Sequence, residues 1–299
     1  MESDIILLDG GMGRELKRMG APFRQPEWSA LALIEAPDFV AQAHQSFVAA
    51  GADVITTNSY ALVPFHLGEA RFAARGGELA DLAGKLARKV ADGSRRRVAV
   101  AGSLPPLFGS YRPDLYDETR AQEILAPLVA GLEPHIDHWL VETQSAIAEV
   151  EAAAAGLAAS EKPVWFSFTI EDGADDAQQA PRLRSGEPVG TAVRRAAELG
   201  AAAILFNCSQ PEVMAPALTA AATALDGAAV RLGVYANAFP PQPKDAEANS
   251  TLHDIRADLD PAGYRDFMQD WIGRGAGIVG GCCGIGPEHI AAMRAALDA

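Results

Sequence analysis

The sequence predicts a single (β/α)8 TIM barrel, because eight short aliphatic runs alternate with eight segments of helical periodicity along 299 residues, and the runs are apolar without alternation. Strands buried on both faces read this way when helices cover the outside of a parallel sheet. The length suits a barrel, which typically needs roughly 250 residues. Residues 1–299 are therefore expected to form one domain.

The first run covers 5–9, and Gly10, Gly11 and Gly13 follow it directly. A dinucleotide fingerprint would need a third glycine further on and an acid at the end of a second strand, and neither is present. The glycines read as a tight turn that tolerates positive φ, on the face where a barrel builds its active site. Pro37 and Asp38 then signal a helix start, with Phe39, Val40, Ala43, Phe47 and Val48 along one side. Strands follow at 54–57, 98–102, 139–142, 164–169, 203–207, 231–235 and 278–280. The intervening helices are expected at 69–91, 117–135, 145–159, 187–199, 211–225, 261–274 and 287–297. Segments 71–77, 171–185 and 240–258 are polar and rich in Gly, Pro or Asp, and read as loop excursions of one domain. Pro240, Pro241 and Pro243 make the last of these a candidate lid or subunit contact.

Nearly half the residues are apolar and about a fifth are charged, the composition of a globular protein. A formal charge of −14 argues against a nucleic-acid partner, which surplus Lys and Arg would hold. No stretch is long and apolar enough for a membrane span, and the acidic start is unlike a signal peptide, so a cytoplasmic location is expected. Three cysteines do not make a disulfide framework and are read as reduced thiols.

Their positions carry the chemistry. Cys208 ends Leu205-Phe206-Asn207-Cys208, just after the sixth strand, and Cys282 and Cys283 follow the eighth in Gly280-Gly281-Cys282-Cys283-Gly284. Carboxyl ends of barrel strands share one face, so these thiols can meet there. Converging thiolates repel one another unless a cation sits between them, and zinc is the soft-ligand choice. Three protein ligands leave a fourth position open, as in catalytic zinc sites. An electron-rich zinc of this kind suits activation of a substrate thiol, which it would hold deprotonated yet nucleophilic. Buried cysteine as a small hydrophobe is the competing reading, as is a cysteine nucleophile with a histidine base. For the second, His66 and His289 are loop or helix-start residues and are expected to be solvated.

The motifs Leu8-Asp9-Gly10-Gly11-Met12-Gly13, Ile55-Thr56-Thr57-Asn58-Ser59-Tyr60, Glu142-Thr143-Gln144, Asn207-Cys208 and Gly280-Gly281-Cys282-Cys283-Gly284 together resemble the homocysteine methyltransferase family. The resemblance runs almost end to end. It implies zinc held by Cys208, Cys282 and Cys283, with the homocysteine sulfur as fourth ligand. It also implies that Asp9 and Glu142 hold the substrate ammonium group and that the amides around Gly10 and Gly11 bind its carboxylate. Strand-end capping or pairing with an Arg or Lys is the alternative for each acid. Asn58 and Asn207 are candidates for orienting substrate or ligand thiolates, with turn roles as the alternative. Trp28 is a candidate to pack against a cationic methyl donor, or else simply packs its loop.

The donor implied is a small sulfonium, S-methylmethionine or S-adenosylmethionine, from the Trp28-Ser29-Ala30 and Glu142-Thr143-Gln144 segments. Betaine or another methylated amine is the second choice, because Cys283-Gly284 before Ile285-Gly286-Pro287 resembles the betaine and cobalamin-dependent branches. Another thiol acceptor and a non-catalytic zinc-binding barrel are the remaining alternatives.

Overall fold

The computed structural model describes residues 5–172, 180–241 and 255–299. β1 (Ile6–Leu7) leads to α1 (Met12–Arg18), α2 (Ser29–Glu35) and α3 (Pro37–Ala50), and β2 (Val54–Thr56) to α4 (Pro64–Leu67) and α5 (Glu69–Asp92). Thereafter strand and helix alternate: β3 (Ala99–Leu104), α6 (Glu118–Leu132), β4 (His138–Gln144), α7 (Ile147–Gly156), β5 (Val164–Phe168) and α8 (Val189–Glu198). The chain finishes with β6 (Ala203–Asn207), α9 (Met214–Leu225), β7 (Arg231–Tyr235), α10 (Pro261–Gly273), β8 (Ile278–Val279) and α11 (Pro287–Leu297).

The strands form one 8-stranded parallel sheet in the order β1-β8-β7-β6-β5-β4-β3-β2. Leu8 bridges Val54 in parallel and the Asp9 amide donates to the Val54 carbonyl at 3.0 Å, which closes β1 against β2. The expected (β/α)8 barrel is therefore the observed fold.

Two apolar layers explain the uninterrupted strands. In β6, Ala203 and Leu205 join Leu8, Val54, Ala101, Leu140, Trp165 and Ile278 inside the barrel, whereas Ile204 and Phe206 face the helices. Alternate residues of one strand thus serve opposite cores, and both must be apolar. The helices begin where their caps dictate. Asp260 accepts hydrogen bonds from the Ala262 and Gly263 amides ahead of α10, and Pro37 and Pro287 occupy first-turn positions in α3 and α11.

The polar stretch 71–77, read as a loop, is part of α5. Phe72, Leu79, Ala80, Ala83 and Ala87 make one continuous buried face, and that periodicity outweighs the local Gly76-Gly77 pair. In the loop after β5, Ile170 pairs antiparallel with Leu183; residues 173–179 of the expected 171–185 excursion lie outside the described residues. So does most of the expected lid, at 242–254. Among the described residues no helix is long and apolar enough to cross a membrane.

Candidate metal and substrate site

The carboxyl ends of the strands surround a cavity of about 130 Å³, lined by all three cysteines together with Asp9, Glu142, Trp28, Tyr60, Tyr111 and Tyr235, among others. Cys208 is the first residue beyond β6, and Cys282 and Cys283 lie just beyond β8. Their sulfurs all lie within 4.8 Å of one another, and all three thiols are free. Cys208 is buried, while Cys282 and Cys283 are partly open to the cavity.

One thiol of the three can ionise with help from the other two, and its charge then opposes ionisation of those. Cys282 is pushed up because it donates to Cys208 and Cys283 and is buried. Cys283 is held well below the ordinary thiol range by the S–H groups of Cys208 and Cys282, with Arg14 adding a positive charge. A divalent cation is what permits all three to be thiolates together, and an all-sulfur donor set at this spacing fits a soft ion bound through bonds of about 2.3 Å. With three donors and an open cavity in front, the site fits a metal that keeps one position for substrate.

Two buried carboxyls face the same cavity. Asp9 follows β1 and accepts from the Thr56 amide at 2.8 Å and the Thr56 hydroxyl at 3.0 Å. Burial nevertheless raises its pKa to about 7, with Glu142 adding to the rise. Glu142, in β4, accepts from Ser103 at 2.5 Å and Tyr235 at 3.3 Å. Burial raises it to about 7 as well, and negative charge at Cys208 acts in the same direction. Neither acid has a basic side chain among its described hydrogen-bond partners, so an arriving ammonium group would supply the missing counter-charge.

The glycine turn works differently from expectation. Gly10, Gly11 and Gly13 do not adopt positive φ. What Gly10 and Gly11 require is closeness: a Cβ on Gly10 would run into the Ile285 carbonyl, and one on Gly11 would lie 2.7 Å from the Cys282 carbonyl. The Gly11 amide donates to the Ile285 carbonyl at 2.9 Å, so it ties β1 to the turn after β8 instead of being offered to a ligand carboxylate.

Asn58 lines the cavity and donates to the Ser29 carbonyl at 3.1 Å, holding the loop that carries Trp28. Asn207 is fully buried and engaged in structure: its Oδ1 accepts from the Thr143 amide and from Ser167, and its Nδ2 donates to the Thr143 hydroxyl at 2.8 Å. It braces the residue beside Glu142. Trp28 stands edge-on to Phe23 and Tyr60 and forms one cavity wall. His66 and His289, expected to be solvated, are buried; each bonds a carbonyl, His66 that of Pro26 at 2.9 Å and His289 that of Leu259 at 3.0 Å. They support loops.

Sequence reasoning missed Thr56, Ser103, Tyr111 and Tyr235, the hydroxyls that hold the acids and Cys208. Thr56 and Tyr235 end strands and were open to the same strand-end argument as Asp9. Backbone strain also marks the site: Trp28, Tyr111, Thr143 and Cys208 are non-glycine residues at positive φ, and all four line the cavity. Each such conformation costs about 1–3 kcal/mol and persists only where surrounding structure enforces it.

A family model described as homocysteine S-methyltransferase matches residues 6–297. The homocysteine S-methyltransferase of Escherichia coli strain K12 is 33% identical over 318 aligned positions, covering 98% of this chain and 96% of that protein. The crystal structure of the homocysteine methyltransferase MmuM from Escherichia coli, in its metallated form, is similar with a TM-score of 0.78 at 29% identity, covering 99% of this chain and 97% of that one. Betaine–homocysteine S-methyltransferase 1 of Pongo abelii is 25% identical over 308 positions, covering 97% of this chain and 71% of that protein.

Proposed function

The chain belongs to the homocysteine S-methyltransferase family, and from that premise we propose that it transfers a methyl group from a small sulfonium donor, S-methylmethionine or S-adenosylmethionine, to the thiolate of zinc-bound homocysteine, forming methionine. In this reading residues 1–299 act as one barrel domain. The observation that carries it is the meeting of three cysteine sulfurs within 4.8 Å at the wall of a cavity that also holds two buried carboxyls.

Cys208, Cys282 and Cys283 would hold the metal. The chemistry that zinc supplies when bound is a substrate sulfur that is deprotonated near neutral pH and still nucleophilic. Asp9 and Glu142 take the ammonium group of homocysteine, which restores their ionised forms. The Gly10 amide lies on the same turn and is the candidate for its carboxylate. Trp28 and Tyr60 line the cavity and are the candidates to pack against a cationic donor, whereas the Phe239 ring already has the Arg14 guanidinium over it, 5.1 Å from its centre. The homocysteine sulfur forms a bond to the methyl carbon with its lone pair, the bond from that carbon to the donor sulfonium breaks, and a neutral thioether leaves. No proton moves in this step, so the protein contributes alignment and exclusion of water, not a general acid or base.

Betaine is the second reading for the donor, supported by the similarity to a betaine–homocysteine S-methyltransferase and by the same aromatic wall. The test is to count zinc per purified chain and to follow methionine formed from homocysteine with S-methylmethionine, S-adenosylmethionine and betaine in parallel. About one zinc per chain, lost together with turnover in Cys208→Ala, is expected. Full activity in metal-free protein would overturn the zinc assignment. Turnover with betaine alone would replace the sulfonium donor.

A further inference from the structure

Behind Cys208 lies a closed circuit of side chains that the methyl-transfer reading does not use. Tyr111, in the loop between β3 and α6, is buried, and its hydroxyl lies 2.8 Å from the Cys208 carbonyl and 3.0 Å from the Cys208 sulfur, positioned to donate to both. The Arg184 guanidinium lies over the Tyr111 ring, 4.3 Å from its centre. Arg184 in turn pairs with Asp172 at 3.1 Å, and the two side chains are only 3% and 0% exposed. The second oxygen of Asp172 accepts from the Gln210 amide at 3.1 Å, two residues beyond Cys208. The circuit thus starts and ends on the segment that carries the cysteine.

A buried ion pair is poor evidence of a gain in stability, since desolvation opposes its attraction. Its presence here asks for another reason. A phenylalanine ring would fill the space of Tyr111 equally well, so the hydroxyl is what the position adds. Tyr111 and Cys208 both sit in the left-handed backbone region, at φ 66 and φ 55. The surroundings hold both residues in conformations that non-glycine residues rarely adopt, and the result is a hydroxyl aimed at one particular sulfur. The cation over the ring withdraws electron density and strengthens the hydroxyl as a donor.

Building on the zinc reading above, we infer that Tyr111 is a positioning residue for the metal centre: its hydroxyl fixes the Cys208 sulfur toward Cys282 and Cys283 and takes up part of the thiolate charge, and Arg184 with Asp172 clamps Tyr111 for that purpose. Metal-bound thiolates collect negative charge in a buried cavity, and a donor behind one of them spreads it. The clamp also gives the excursion after β5 a role at the site.

The test uses cobalt(II) and zinc in full-length protein, comparing the native chain with Tyr111→Phe and with 3-fluorotyrosine introduced at position 111, whose hydroxyl is the stronger donor. Removing the donor raises the energy of the sulfur lone pairs, so the thiolate-to-cobalt absorption band moves to longer wavelength in Tyr111→Phe. Strengthening the donor moves it to shorter wavelength. Zinc binding, measured by competition with a chelator, is expected to weaken about 10- to 100-fold in Tyr111→Phe, as for other residues that support metal ligands. Opposite band shifts from two variants are not what a packing role alone produces. If Tyr111→Phe fails to fold, the fluorotyrosine shift decides by itself. Bands that stay in place while all three proteins load metal would overturn the inference and leave the zinc reading intact. A native chain that takes up neither metal would overturn both.

Discussion

Consider Glu142→Gln, with stability measured in the metal-free protein and turnover in the metal-loaded one. Burial holds the Glu142 carboxyl at about 7 against an ordinary value of 4.5. A carboxyl raised in this way contributes stability that is complete below about 4.5 and is lost as pH rises through about 7. A gap of about 2.5 in pKa, at about 1.36 kcal/mol per unit, corresponds to about 3 kcal/mol. Glutamine has the shape of the neutral acid at every pH and keeps that contribution. The variant is therefore expected to be more stable than the native chain by about 2–3 kcal/mol near pH 8, and to match it near pH 4. Function should move the other way. Removing one partner of a buried pair with the substrate ammonium costs about 3 kcal/mol or more, roughly a hundredfold in kcat/KM for homocysteine. Denaturant melts of the metal-free protein across the pH range and steady-state kinetics of the metal-loaded protein check both signs. A variant less stable than the native protein near pH 8, or one with unchanged kcat/KM, would refute the reasoning, the first by showing that the carboxylate is already paired and the second by showing that it does not meet the ammonium.

The same carboxyls set a pH dependence: with Asp9 and Glu142 both at about 7, kcat/KM for homocysteine should fall below that pH as each becomes neutral, more steeply in the native enzyme than in Glu142→Gln, and a pH–rate profile of the two checks this. Gly10→Ala would push a methyl group into the Ile285 carbonyl and the Phe47 ring, so a loss of about 1–3 kcal/mol in a thermal or denaturant melt is expected. Trp28→Leu removes the aromatic face without touching the acids or cysteines, and should raise KM for a cationic donor by about fivefold or more, the loss of roughly 1 kcal/mol, while KM for homocysteine stays put.

The parts of the site visible in the sequence are those whose position follows from strand ends alone. Cys208, Cys282, Cys283, Asp9 and Glu142 come from four different strand termini, and a closed barrel has only one face on which such termini gather. Periodicity likewise locates the strands, since both faces of each are apolar. What it misses are contacts that depend on loop paths. Nothing in the sequence around Tyr111 says that its hydroxyl reaches residue 208, or that Arg184 crosses its ring. Asn207 shows a subtler limit: its place at the end of β6 is legible, but not that its amide reaches across β5 to Thr143, a residue at positive φ two strands away in β4. The segment 71–77 failed in the opposite direction, because two adjacent glycines look like a break until the buried faces on either side are seen to be in phase.

The features gathered at this face are each unfavourable on their own. Two carboxyls are buried without a described basic partner, three thiols crowd within 4.8 Å, and four non-glycine residues take strained backbone conformations around one cavity. Such costs are sustained by the rest of the barrel, with its double apolar core, and they cluster where function asks for them. Their chemistry is also complementary. The acids lack a cation, and the thiolates lack a cation of another kind. An amino acid carrying both an ammonium group and a sulfur, bound beside a soft metal ion, relieves both at once: the ammonium ionises the carboxyls, and the sulfur takes the position that three cysteines leave open. A simple thiol without the amino group would satisfy only the metal and leave Asp9 and Glu142 without a counter-charge. The acceptor should therefore be discriminated at the ammonium end, and a thiol that lacks that group should lose about as much in kcat/KM with the native enzyme as homocysteine loses with the two acids made neutral by Asp9→Asn and Glu142→Gln together. Equal turnover of the amino-free thiol would place the ammonium elsewhere and break this link between the two halves of the site.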